Sequence, residues 1–210
     1  MSGIQNFPIF LLASLTLNLI PGPDTFYILG RSMAQGRSVG IASAFGISAG
    51  TVVHTFAAAF GLSALIAASA TAFVAVKLAG AAYLVFLGLR LLSSRPPVDS
   101  PPITFDQSGF LVAFRQGLIT NVLNPKVALF FLAFLPQFIA AESSSRFLAF
   151  LFLGFCFVTT SMTWCLILAW FSSALGSRLR SHPKSLQYLN RATGTLLVGL
   201  GVHLATAKTH

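Results

Sequence analysis

The sequence predicts an all-α integral membrane protein: six transmembrane helices in two inverted three-helix repeats, with helices one and four broken by proline. Three observations predict it. Apolar residues make up 55% of the chain and charged residues 8%, with a mean hydropathy of +0.82. A soluble domain carries about 25% charged residues, so this chain lacks the polar side chains to cover a water-facing surface. Six stretches reach the roughly 20 apolar residues that a spanning helix needs. Two of them are interrupted at matching places in the two halves, by Asn18-Leu19-Ile20-Pro21-Gly22-Pro23-Asp24 and by Asn121-Val122-Leu123-Asn124-Pro125-Lys126. Such a pair of Gly/Pro-broken spans points to a transport site.

The first span, Pro8–Leu29, follows an N-terminus without a positive region, since the first basic residue is Arg31. It therefore reads as a retained span and not as a cleaved signal. The second, Val39–Ala67, is long enough to be tilted or broken. Its small residues, in Gly36-x-x-x-Gly40, Gly46-x-x-x-Gly50 and Ala57–Ala59, suit close helix packing. The third, Ala72–Leu92, holds Lys77-x-x-Gly80 and Gly88-Leu89-Arg90. The fourth, Gly109–Ala140, carries the second break and the aromatic cluster Phe130, Phe131, Phe134 and Phe138, which reads as a lipid-facing or packing surface. The fifth, Phe147–Ser172, contains Cys156 and Cys165, whose spacing fits neither a metal nor a redox motif; they read as small packing residues whose replacement by serine or alanine matters little. The sixth, Leu186–Ala205, holds Arg191-x-x-Gly194 and Gly201-Val202-His203, which align with the third span after one gap.

Ser93–Ser108, with Pro96, Pro97, Pro101, Pro102, Asp99 and Asp106, is the polar linker. It divides a single membrane domain, 1–210, into repeat 1 (1–92) and repeat 2 (109–210). Three spans per repeat is an odd number, so the second repeat enters the membrane in the opposite sense, as in many secondary transporters. The net charge is +9, but the basic residues sit at the ends of apolar runs and form no dense patch for nucleic acid. They read as orientation signals. Arg31, Arg37, Arg90, Arg95, Arg115, Arg178, Arg180, Lys184 and Arg191 fall on one side, against Lys77, Arg146 and Lys208 on the other. The first group marks the cytoplasmic face and puts both termini outside.

Asp24 and Lys126 are the charges inside the membrane. Each costs roughly 2.5–3.5 kcal/mol at mid-bilayer on insertion scales, which makes a functional role the default. The alternatives are a static ion pair locking the halves together and a position near an interface. Pro23 and Pro125 each remove a backbone donor, Pro21 adds a second break, and Gly22 gives backbone freedom. The released carbonyls and amides must line an enclosed or wet cavity. A half-helix beginning at Pro23 would aim its amides at an anionic group such as a carboxylate. Asn18, Asn121 and Asn124 serve either as ligand contacts or as caps of the freed backbone. His54 is either a buried hydrogen-bonded histidine or a proton relay. Gly46-Ile47-Ser48-Ala49-Gly50 fits the hydrolase pattern G-x-S-x-G, but it lies within a helical span and lacks the strand–turn–helix context that gives the pattern meaning.

Taken together, Pro21-Gly22-Pro23-Asp24, Gly36 and Gly40, Asn121-Val122-Leu123-Asn124-Pro125-Lys126, Phe134-Leu135-Pro136-Gln137-Phe138 and the stretch Lys77–Leu84 resemble the LysE/RhtB family of bacterial amino-acid exporters. The resemblance covers nearly the whole chain. It implies a multi-pass protein of the bacterial cytoplasmic membrane that exports amino acids or related metabolites by proton antiport. It implies no cofactor and no catalytic or metal site. The partners are an amino-acid substrate, protons and the bilayer, with a homodimer as an option. The substrate-binding or proton-coupling set is Asp24, Lys126, Asn18, Pro21, Gly22, Pro23, Asn121, Asn124, Pro125 and His54. The competing readings are transport of another solute or ion, for which a metal site lacks carboxylates and a Cys/His cluster, and an intramembrane enzyme built on Ser48 and His54 or on the cysteines.

Overall fold

The computed structural model describes residues 3–93, 109–140, 143, 145–172 and a scattered set between 188 and 206. The linker beyond Ser93 lies outside the described residues, as do Arg178, Arg180, Lys184, His203 and Lys208, and the sixth span is described only in part. The described residues are nearly all helical and include no strand; one isolated bridge joins Ile4 to Ile139. The helices are α1 (Phe7–Leu19), α2 (Pro23–Gln35), α3 (Arg37–Ala57), α4 (Ser63–Ala68), α5 (Ala70–Leu92), α6 (Phe110–Val122), α7 (Pro125–Leu129) and α8 (Arg146–Trp170). A π-helical turn, Ala58–Leu62, carries α3 into α4. A second, Phe130–Phe134, and a 3-10 turn, Leu135–Phe138, prolong α7.

Arg37–Leu65 and Arg146–Trp170 are each long and apolar enough to cross a membrane. So are two bent pairs, α1 with α2 at 49° and Phe110–Val122 with Pro125–Phe138 at 47°. Both bends fall at the proline motifs. Pro23 and Pro125 sit in the first turn of α2 and α7, where a missing N–H breaks no intrahelical bond. α5 has 23 residues, a length that at about 1.5 Å per residue also crosses the hydrocarbon core. Large apolar side chains such as Leu12, Phe45, Phe60, Leu111, Leu148 and Phe155 are exposed, as lipid contact requires.

The first broken span runs to Gln35, past the expected end at Leu29. Arg31 is consequently not a loop-end charge. It is buried within α2, bonded to Gln35 and Gln116, with its guanidinium 5.6 Å from the Tyr27 ring centre. Gly36 does not pack a helix either. It has φ +88°, closes the turn from α2 to α3, and faces open space. Gly40, by contrast, packs on Ser32.

The glycines of the second span hold α3 against α6. Gly46 abuts the Phe114 carbonyl, and Gly117 lies where a Cβ would come 2.7 Å from the Ser43 carbonyl. A Cβ on Gly50 would come 2.7 Å from Asn121 Cβ. Gly46 pairs with Gly117 and, four residues on, Gly50 with Asn121, so α3 and α6 run parallel. α8 runs antiparallel to α3, with Gly154 on Thr55 and the Ser48 hydroxyl 2.9 Å from Met162 Sδ. α5 meets the described part of the sixth span antiparallel, Gly88 on Gly194 and Ala81 on Gly201. The aromatic cluster is packing and not lipid surface: Phe130, Phe131, Phe134 and Phe138 are all buried, and Phe130 lies 4.7 Å from Phe157 between ring centres.

Candidate functional site

The two breaks meet. α1 ends at Leu19, and Ile20, Pro21 and Gly22 lead in extended backbone to Pro23. The second break reaches the end of α1: Lys126 Nζ donates to the Leu17 carbonyl at 3.2 Å and to the Ile20 carbonyl at 3.1 Å. Gly22 makes room for that ammonium. Its φ of −150° and ψ of −170° are open to any residue, so the expected need for backbone freedom is not what places glycine here. A Cβ at this position would lie 3.3 Å from Lys126 Nζ. Within its own break, Lys126 is held by Asn124, whose Oδ1 accepts from the Lys126 backbone N–H at 3.0 Å and caps α7.

Asp24 stands in the first turn of α2, where a carboxylate favours the positive end of the helix dipole. Its Oδ2 accepts from Asn121 Nδ2 at 2.9 Å. Asn121 is itself buried and fixed on every side. Its Oδ1 lies 3.3 Å from the Thr51 hydroxyl, and its backbone carbonyl takes His54 Nε2 at 3.1 Å. A carbonyl can only accept, so Nε2 carries the proton. His54 is half-buried and also stacks on Phe131. Asn18 does not cap the broken backbone but donates to Thr160 Oγ1 on α8 at 3.2 Å.

Asp24 and Lys126 form no direct ion pair among the described residues. Each takes its hydrogen bonds elsewhere, and both line one cavity with Leu17, Asn18, Thr25 and Val127. The remaining wall is α8: Phe157, Ser161, Trp164, Cys165 and Leu168. The cavity among these side chains measures about 20 Å³. About 10–15 Å³ suffices for one water, so the site as folded here has room for a water molecule and not for an amino acid. Asp24 Oδ1 is buried without a partner. Burying a carboxylate oxygen unpaired is unfavourable, and a cation or donor in the cavity would relieve it.

The site therefore unites Asp24, Lys126, Asn18, Gly22, Asn121, Asn124 and the three prolines, with His54 one residue removed behind Asn121. The sequence reading missed the α8 wall. Its signal was the polar run Thr159-Thr160-Ser161-Met162-Thr163-Trp164 in the middle of an otherwise apolar span.

This is a helical membrane protein in which two broken helices close on a buried, charged cavity. Residues 15–208 match the family model of the LysE type translocators, and the chain belongs to that family. It is similar to an uncharacterized membrane protein of Vibrio cholerae, at 31% identity over 95% of this chain and 96% of the relative. A second uncharacterized membrane protein, from Pseudomonas aeruginosa, is 30% identical over 98% and 97%. The leucine efflux protein of Salmonella typhimurium is 27% identical over 99% and 98%. No solved structure matches.

Proposed function

We propose that this protein is a secondary exporter of amino acids in the bacterial cytoplasmic membrane, working by alternating access and proton antiport. The observation that carries the reading is the cavity itself: Asp24 and Lys126, one from each break, line it without forming a direct ion pair. A zwitterion supplies both counter-charges at once. Leu17, Val127, Phe157 and Leu168 on the same walls favour an apolar side chain, and the resemblance to a leucine efflux protein supports the same class.

The inverted arrangement of two three-helix repeats is part of this proposal. It is supported by the similar bends at the two breaks, 49° and 47°, and by the opposed directions of α5 and the described part of the sixth span. Residue distribution supports a cytoplasmic basic face with both termini outside. Substrate would enter from the basic side, and Asp24 is the first candidate for the coupling proton.

Proteoliposomes loaded with leucine test the reading. Efflux driven by an imposed pH gradient is the expected result, with Asp24→Asn losing it and Gly61→Ala keeping it. Wild-type efflux indifferent to a proton uncoupler would overturn the coupling. Wild-type efflux of none of the twenty amino acids would overturn the function.

A further inference from the structure

Trp164 is the least explained polar group in the cavity. Its Nε1 is buried and has no hydrogen-bond partner, while the half-buried side chain packs against an apolar cluster drawn from α2, α3 and α8. Indole N–H groups usually find a partner when buried, and an unpaired buried donor costs about 1–3 kcal/mol. The other tryptophan of α8, Trp170, is exposed and carries the Arg37 guanidinium 5.3 Å from its ring centre. The unsatisfied donor is thus specific to the tryptophan at the cavity. Across the same cavity stands the unsatisfied acceptor, Asp24 Oδ1.

We propose that Trp164 is a substrate-contacting residue, whose indole N–H takes the carboxylate of an amino acid while Asp24 Oδ1 takes its ammonium. The indole can only donate, so it distinguishes a carboxylate from a second ammonium. Lys126 assists, since two of its three protons are on Leu17 and Ile20 and one is left for the cavity. Recognition is then divided: Asp24 of the first broken helix holds the ammonium end, and α8, helped by Lys126 of the second, holds the carboxylate end. The inference rests on the reading of this cavity as the substrate site.

The test uses the full chain in proteoliposomes with leucine and with 3-methylbutylamine, which is leucine without its carboxylate. Trp164→Phe keeps the ring and removes the donor. The KM for leucine should rise roughly tenfold or more, the usual loss for a hydrogen bond to a charged group, while inhibition by the amine stays unchanged. In a Trp170→Phe protein, which leaves Trp164 as the single tryptophan, leucine should shift the emission saturably and the amine should shift it less. An unchanged leucine KM in Trp164→Phe overturns this inference alone. So does an equal loss for leucine and the amine, which marks a packing role. Wild-type protein that binds no amino acid overturns the exporter reading, and this one with it.

Discussion

Gly22→Ala probes the contact between the two breaks more finely than deleting a charge would. The added methyl sits 3.3 Å from Lys126 Nζ and 3.6 Å from Cε. The backbone accepts it without strain, so its effect falls on the ammonium, which must retreat by a few tenths of an ångström. That takes its bonds to Leu17 and Ile20, now 3.2 and 3.1 Å, towards the limit of a hydrogen bond. Hydrogen bonds to a charged group are worth about 1.5–3 kcal/mol each, so losing half of each costs roughly 2 kcal/mol. Alanine returns about 0.4–1 kcal/mol by restricting the unfolded chain. The net expectation is a loss of about 1 kcal/mol, combining these two effects, with a larger fall in transport because the ammonium has moved. In a Lys126→Ala background the methyl enters vacated space and the sign reverses, to a gain of about 0.4–1 kcal/mol. Thermal unfolding in detergent for all four proteins, with initial efflux rates for the Lys126 pair, measures both. The same sign of stability change in both backgrounds would refute the contact.

Four further outcomes follow at other positions. Gly46→Ala puts a methyl onto the Phe114 backbone, which cannot swing aside; overpacking of this kind costs about 1–3 kcal/mol. Gly61→Ala, with nothing within 4 Å, should be neutral or gain up to about 1 kcal/mol from helix propensity, and paired melting curves compare the two. Asn121→Leu removes the hydrogen bond that Asp24 Oδ2 accepts at 2.9 Å; a cost of about 1–3 kcal/mol and a loss of efflux are expected, read from unfolding and transport of the same preparation. Cys156→Ser, away from the cavity, should leave efflux within about twofold, since substitutions far from such features rarely exceed ±0.5 kcal/mol.

Much of this was legible from composition and proline placement. Proline is costly inside a helix wherever it stands, so the breaks at Pro21–Pro23 and Pro125 show in the chain itself, and the fold places a bend at each. The same was true of the glycines that seat α3 on α6, because small residues at helical spacing can serve little else in lipid. What the sequence concealed was the partner of each group. Lys126 reads as the counter-ion of Asp24, yet it caps carbonyls over a hundred residues away, and Asp24 goes to Asn121. Gly22 reads as a flexible link and is instead a space. Gly36 shares the spacing of a packing motif but has the positive φ of a turn. Arg31 reads as a loop charge because burial of a guanidinium depends on Gln116, which only the tertiary fold brings near. The α8 wall was hidden because threonine, serine and tryptophan in a span are also common packing residues.

The central claim is that the substrate lies between the two breaks and α8. Photo-leucine cross-linking of the purified protein, followed by peptide mapping, tests it most directly. The account predicts adducts in the segments that line the cavity, residues 17–25, 126–127 and 157–168, and their loss when excess leucine is present. Leucine-protected adducts confined to other segments, with none on the cavity wall, would contradict it.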